Sequence, residues 1–413
     1  MLTPLSRRQA MSPTTVVLML TLLLGIQPIT TDLYLPALPA LAGALGGGMG
    51  AAQLTLSALI LCFGVAQLAW GPLSDRFGRR PVLLAGLALY CLAGLGTSLV
   101  PSIAWLIVWR ALQGAGMAAA VTCGRSIVRD LYEPREGARV LSRALGGLGV
   151  LAMLGPLFGA ALVHWLHWRA TLAAVTLFGI VTLASVAWHF TETLPRRNPR
   201  ATELAHIAAN WTRILRHPTF IAWTALQCAT WGGLFTMLAS SSFIFIDVLG
   251  ASQLEYGAVL AACSLSYIVG TLVCRLLLRH GNASQAVAIG AVSSLGGGAL
   301  LAGLSLAGVH SLWAVVPPLL LYGIGHGIHQ PCGNAGAVSP FPDAAGTAAS
   351  LSGFAMMLTA FGVGLALGRS LNGTVYPLTL GVGAFSACIA AVAWTLVRKH
   401  GDRRVLAPTA QPA

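Results

Sequence analysis

Stretches of about 20 residues with almost no charge, the length a helix needs to cross the hydrocarbon of a bilayer, recur along the whole chain. Twelve are legible, with bounds 14–38, 53–73, 82–100, 104–128, 138–163, 168–190, 219–246, 255–278, 283–307, 312–335, 345–368 and 374–397. In lipid every backbone amide has to be paired within the protein, and a single apolar segment of this length does that as a helix. Only 8% of the residues are charged and 56% are hydrophobic, against about 25% charged in a soluble domain. Water is not the main solvent of this chain.

Arginine placement supports an even number of spans. Loops on the cytoplasmic side of a membrane collect Lys and Arg, whereas translocated loops do not. With both termini inside, twelve spans put 20 of the 24 basic residues on the cytoplasmic side, in clusters around Arg7, Arg79, Arg139, Arg197, Arg275 and Arg403. Arg169 and Arg369 remain outside, and Arg110 and Arg125 fall within spans. The net charge of +13 is thereby explained by loops, and no nucleic-acid partner is expected. The eight cysteines lie in apolar segments without metal-type spacing, so they read as packing residues, with no disulfide framework and no metal. Arg7 and Arg8 before an apolar run imitate a signal peptide, but the run outlasts a signal core and is the first span.

The longest polar stretch, Glu192 to Pro218, separates six spans from six. The expected organisation is a six-helix bundle at 1–195, a cytoplasmic linker at 196–217, a second bundle at 218–400 and a cytoplasmic tail at 401–413. An amphipathic piece at Leu204 to Leu215 is expected to lie on the membrane surface. Shifting the second half back by 209 residues places Gly303, Gly323, Gly325, Gly364 and Gly368 on Gly94, Gly114, Gly116, Gly155 and Gly159. That pattern suggests a duplicated unit, as in transporters. The fold class expected is an all-α membrane protein with twelve transmembrane helices in two pseudo-symmetric six-helix bundles.

The run GPLSDRFGRRP, Gly71 to Pro81, packs Asp75, Arg76, Arg79 and Arg80 around Gly71 and Gly78 and reads as a tight turn at the inner face. Within the spans, Asp32 is the only deep acidic residue, and a carboxylate there costs about 2.5–3.5 kcal/mol. Asp32 and Arg110 sit at similar depth, so an ion pair is expected. Burial favours the neutral acid and the arginine favours the charged one, an opposition suited to proton exchange; a static pair locking two helices is the other reading. Arg110, Gln113 and Gly114 share a helical face. His326 and His329 are one turn apart with Gln330 adjacent, and Gln227 and Trp231 are one turn apart. Such residues serve either as ligands or as interhelical hydrogen bonds. Gly146, Gly147, Gly149, Gly155, Pro156 and Gly159 make the fifth span close-packing and bendable.

Several strings resemble those of a known family. GPLSDRFGRRP is similar to the signature loop of the major facilitator superfamily, WRALQGAGMAA (Trp109 to Ala119) to its fourth-helix motif, and LGPLFGA (Leu154 to Ala160) to its fifth-helix antiporter motif. TDLYLPALP (Thr31 to Pro39), RDLYEP (Arg129 to Pro134) and ETLP (Glu192 to Pro195) resemble the bicyclomycin and chloramphenicol resistance (Bcr/CflA) type of drug:proton antiporter. The fifth-helix motif departs from the pattern by ending Gly159, Ala160 rather than in two glycines. The second copy of the loop is reduced to Arg275, Arg279 and Gly281.

The resemblance implies a cavity lined by helices 1, 4, 7 and 10. Gln27, Tyr34, Gln113, Gln227, Trp231, His326 and His329 are then candidate cargo contacts. It implies proton coupling through Asp32 and Arg110. It also implies a conformational switch in which Asp75 braces the start of helix 11, near Ala344 to Ser350, with Arg76, Arg79 and Arg129 as counter-charges. The helix-5 motif at Gly155, Pro156 and Gly159 is implied to meet helix 8. The function expected is proton-driven export of a small drug-like molecule by a monomer in a bacterial inner membrane, with both termini cytoplasmic, no cofactor and no catalytic residues. No ATP-binding loop and no nucleophile with its base occur in the sequence. A transporter of a native metabolite and a non-transporting receptor or scaffold are the alternatives.

Overall fold

The structure is a computed structural model that describes residues 11–132, 134–194 and 197–401. Arg7, Arg8, Arg196, Arg403 and Arg404 lie outside the described residues, as does the side chain of Arg135. Among the described residues every regular element is helical. Six long helices precede the linker: α1 (Pro13–Asp32), α3 (Gly48–Phe77), α4 (Arg79–Ser98), α5 (Ile103–Leu131), α6 (Pro134–Trp165) and α7 (Trp168–His189). A tighter turn at Leu35–Ala37 and the short α2 (Leu38–Ala44) prolong α1. After the linker helix α8 (Leu204–Leu215) come α9 (Pro218–Ser242), α10 (Gln253–His280), α11 (Ala283–Leu306), α12 (Leu312–Val338), α13 (Ala345–Ser370) and α14 (Tyr376–Val392).

Eleven of these twelve are long and apolar enough to cross a membrane. The exception is α12, 27 residues long, whose Pro317, Pro318, Pro331, His326, His329 and Gln330 lower its mean hydropathy without shortening it. Helix starts are marked by side-chain caps. Ser12 Oγ accepts the Thr15 amide, and capping boxes open α10 (Ser252 with Glu255) and α11 (Asn282 with Gln285).

The expected turn over Gly71–Pro81 is smaller than the sequence suggested. α3 runs to Phe77 and α4 begins at Arg79, so Gly78 alone forms the break. A helix need not stop where the hydrocarbon stops: the 30 residues of α3 span about 45 Å, against about 30 Å of bilayer core. Gly78 takes φ +108°, which favours glycine, and a Cβ there would collide with the Glu192 carboxylate. Gly71 instead lies inside α3.

Before the linker, α5 packs between α3 and α4, α4 against α7, and α1 against α6; after it, α12 packs between α10 and α11, α11 against α14, and α9 against α13 and α14. The two sets meet along α3–α13 and α6–α10. Small residues set the closest approaches. A Cβ on Gly116 of α5 would stand 2.6 Å from the Gly86 carbonyl and the Tyr90 amide of α4. Gly325 of α12 stands in the same relation to the Gly290 carbonyl (2.8 Å) and the Ser294 amide (2.9 Å) of α11. Gly114 likewise abuts Leu59 of α3, and Gly323 abuts Ser266 of α10. Two of the 209-residue glycine correspondences therefore do equivalent work. Gly303 does not match Gly94 in this way, because no atom lies within 4 Å of its missing side chain.

Gly116→Val should force α5 off α4 at a backbone contact that cannot yield, at a cost on the order of 1–3 kcal/mol, whereas Gly303→Val meets open space. Thermal unfolding of the detergent-solubilised variants checks this, with a lowered midpoint expected for the first and none for the second.

Candidate functional site

The polar centre of the first six helices is Arg110, which is fully buried on α5. Its Nη1 donates to Gln113 Oε1 at 2.9 Å and its Nη2 to the Thr30 carbonyl at 3.2 Å. The guanidinium carbon lies 4.2 Å from the centre of the Tyr34 ring. These partners are anchored in turn. The Tyr34 hydroxyl pairs with Thr55 of α3 at 2.6 Å, and the Thr30 hydroxyl pairs with Tyr90 of α4 at 2.6 Å. Tyr34 and Gln113 are wholly buried, so in this conformation they serve Arg110 and are not open to cargo.

The expected ion pair between Asp32 and Arg110 is not formed. Thr30 and Asp32 are two residues apart, which separates their directions by about 200° on a helix. The Thr30 hydroxyl faces Tyr90 of α4 while its carbonyl meets Arg110 of α5, and Asp32 turns towards α6, where a Cβ on Gly155 would sit 3.7 Å from the Asp32 Cβ. Asp32 Oδ1 accepts the Thr31 hydroxyl at 2.8 Å, and no described cation lies within ion-pair distance. Asp32 is half-buried. Its carboxyl can take up a proton without any ion pair having to break, and the neutral form is the one that costs least at this depth. Gln27, half-buried one turn earlier, contributes its carbonyl to the Thr31 hydroxyl at 3.1 Å.

Across from α1 and α5, part of the predicted cargo set does come together. Gln227 Nε2 donates to Ser352 Oγ at 3.0 Å, and its Oε1 has no partner among the described residues. His326 Nδ1 pairs with Thr230 Oγ1 at 2.9 Å, with the Trp231 ring edge-on at 6.3 Å and the Tyr267 ring at 5.5 Å. The indole N–H of Trp231 is unpaired among the described residues. His329 parts from this group and meets the Val287 carbonyl of α11 at 3.3 Å. A 60° difference in direction suffices, because α12 lies between α9 and α11.

At the arginine-rich end, Arg79 is the hub and is only 5% exposed. Its Nη1 meets Asp75 Oδ1 at 2.6 Å and Ser74 Oγ at 2.6 Å, and its Nε meets Asp130 Oδ2 at 2.9 Å. The Glu192 carboxylate accepts the backbone amides of Arg79, Arg80, Thr193 and Leu194 at 2.9–3.2 Å, capping α4. Arg80 donates to the Phe190 and Ala187 carbonyls at the end of α7. The expected brace from Asp75 to the start of α13 is absent. Asp75 is held by Arg79 one turn away, and its carbonyl accepts the Asn198 amide of the linker at 2.9 Å. Arg76 turns to Thr202 and the Phe77 ring. Arg129 is the residue that approaches α13, 3.1 Å from a Cβ position on Gly346, and Gly71 faces Ser350.

The helix-5 motif divides its contacts between two neighbours. Gly159 abuts the Leu33 backbone at the end of α1, while Pro156 and Ala160 face Gly257 of α10. A Cβ on Gly257 would lie 2.7 Å from the Ala160 methyl.

Asp130, Glu192, Tyr90, Thr230 and Tyr267 were not singled out from the sequence. The first two stand inside the RDLYEP and ETLP strings, but their partner Arg79 is 51 and 113 residues away, a pairing that no local pattern carries. Gln53, fully buried on α3 with both amide atoms unpaired, and Gln67 were detectable as amides within an apolar helix.

Comparison with known proteins follows the same lines. The profile of the Major Facilitator Superfamily matches residues 20–367. A chloramphenicol resistance protein of Pseudomonas aeruginosa is 31% identical over 328 residues, covering 76% of this chain and 74% of the relative. The multidrug resistance protein D of Escherichia coli (strain K12) is 29% identical, covering 81% and 84%. The crystal structure of a D-xylose–proton symporter superposes with a TM-score of 0.74 over 93% of this chain and 97% of its own, at 16% identity, and so shares the fold.

Asp130 is 12% exposed and Asp75 48%. Asp130→Ala should therefore destabilise the protein by about 3–5 kcal/mol, and Asp75→Ala by about 1 kcal/mol or less. Equal losses in thermal unfolding of the two variants would contradict the assignment of Asp130 as the principal partner of Arg79.

Proposed function

The chain belongs to the major facilitator superfamily, in its bicyclomycin and chloramphenicol resistance branch, and we propose that it exports drugs or other small amphipathic molecules across a bacterial inner membrane in exchange for protons. The observation that carries the proton coupling is Asp32. It is a half-buried carboxyl with a single side-chain hydrogen bond and no counter-charge, beside the contact between α6 and α10. Its protonation removes a charge from a place where charge is expensive, and its release restores an attraction for a hydrogen-bonding cargo. A proton moving inward with the field supplies about 2.3 kcal/mol per 100 mV, so no nucleotide is required.

In this reading Arg110 does not titrate. It keeps Asp32 turned to α6 by fixing Thr30 on the opposite side of α1. Gln27, Gln227, Trp231 and His326 line the space between the halves, where the unpaired polar atoms of Gln227 and Trp231, closed off in this conformation, become open to cargo when the halves part. The bundles at 1–195 and 218–400 rock about the α3–α13 and α6–α10 seams as a monomer. The helix ends and linker that carry Arg79, Arg139, Arg197 and Arg275 face the cytoplasm, with both termini, as the arginine distribution favours. Glu192, Asp130 and Arg79 hold the cytoplasmic end of the first bundle as one unit, so that the motion passes to the seams.

Asp32→Asn keeps the size and hydrogen-bonding capacity of the side chain but cannot cycle a proton. The variant should remain folded and monodisperse while accumulation of chloramphenicol in inverted vesicles under an imposed pH gradient falls to the empty-vesicle level. Gradient-driven accumulation at the unaltered rate would remove Asp32 from the coupling step.

A further inference from the structure

Arg125 has no partner among the described residues. It lies on α5 six residues, about 9 Å, from the arginine-rich end, and among the described residues its guanidinium makes no hydrogen bond or ion pair although it is exposed. The direction it faces follows from its neighbours. Gly124 abuts Leu23 and Leu24 of α1 at 3.4–3.5 Å, and Thr122 approaches Gly71 of α3 at 3.9 Å. Arg125 projects between these two contacts, towards the other half. The exposed apolar face of α5, with Trp105, Val108 and Leu112, points roughly 100–160° away. The guanidinium thus opens on the space between the halves and not on lipid.

Unpaired polar atoms gather at this level from three more helices. Thr122, one turn from Arg125 on the same face, has a hydroxyl without a partner. Ser350 of α13 stands 4.0 Å from the empty Cβ position of Gly71. Gln67, one turn along α3 and 3% exposed, has an unpaired amide nitrogen, and its Oε1 lies 3.0 Å from the Cβ position of Gly353. Gln227 of α9, fully buried beside Ser352, has an unpaired amide oxygen. Three groups, Arg125, Thr122 and Gln67, thus offer donors without acceptors. The acids nearest along α3 and α5, Asp75 and Asp130, are both engaged by Arg79, and Asp32 lies about 12 Å further along α1, eight residues beyond Leu24.

We propose that these residues form the head-group subsite of the transport cavity and that it takes an anionic head, such as an aromatic carboxylate, with Gln227 accepting a donor on the cargo. The inference rests on the exporter reading and adds the charge of the cargo to it. A guanidinium is permanently charged, and with no described carboxylate paired to it a lipophilic cation is repelled where an anion gains charge-assisted hydrogen bonds.

The test is equilibrium binding to the purified full chain, without a proton gradient, of a radiolabelled aromatic carboxylate (nalidixate) and of tetraphenylphosphonium. The unaltered protein should bind the anion about tenfold more tightly than the cation. Arg125→Gln should bring that ratio close to one, and Arg125→Lys should restore most of it. A cation bound as tightly as the anion, an anion not bound at all, or a ratio that survives Arg125→Gln would each overturn the proposal. Failure of the exporter reading has a different signature: no cargo of any charge accumulates in inverted vesicles under a pH gradient, whatever the binding ratio.

Discussion

A guanidinium at membrane depth cannot discharge itself and has no water to pair with, so the protein around it must supply fixed dipoles. Arg110 receives a backbone carbonyl from α1, an amide oxygen from its own helix and the face of Tyr34. Each of those partners is held by another helix: Tyr34 by Thr55 on α3, and Thr30 by Tyr90 on α4. One charge therefore ties four helices together through mutually polarising bonds. With Thr30 committed to Arg110 and Tyr90, Asp32 is left on the far side of α1, against α6. The separation of Arg110 from Asp32 follows from the way Arg110 is satisfied.

The two halves solve the same problem with different chemistry. Among the buried residues described, the charged ones, Arg79 and Arg110, both belong to the first half. The second half relies on neutral pairs such as His326 with Thr230 and Gln227 with Ser352. The contrast is clearest at the turns between α3 and α4 and between α10 and α11. Between α3 and α4 a buried arginine is clasped by two aspartates and a glutamate caps the next helix. Between α10 and α11 the Asn282 and Gln285 capping box does the work. The reduced second loop, Arg275, Arg279 and Gly281, is what remains when a turn is closed by a cap in place of a buried ion pair.

The spans were legible because the bilayer imposes both their length and their lack of charge, and even α12, the least apolar, falls where its flanking turns put it. Their ends were less legible: α3, α5 and α6 continue into water, where nothing in composition marks a stop. Depth along a helix can be counted from sequence, so Asp32 and Arg110 were rightly placed at one level. Azimuth cannot be counted without knowing which neighbour each face meets, and the expected ion pair was lost there. The same limit separates His326 from His329. Equivalent glycines were legible only where both copies are crowded, as at Gly114 with Gly323 and Gly116 with Gly325, since a glycine in open space such as Gly303 carries the same letter without the same duty.

The fifth-helix motif shows how a departure from a pattern can leave the physics intact. Two contacts have to be close on α6, one with the end of α1 and one with α10. Gly159 is required by the first, because the Leu33 backbone occupies the place of its side chain. At the second the methyl is on Ala160 and the vacancy is on Gly257, so the room that a second glycine would provide comes from the opposite helix. The approach is preserved because what matters to packing is the sum of the two side chains across the seam. Asp32 lies against the same stretch of α6, beside Gly155. Asp32 and the surface on which the halves bear therefore share about one helical turn, and in the proposed coupling a change of charge on the first acts on the fit of the second.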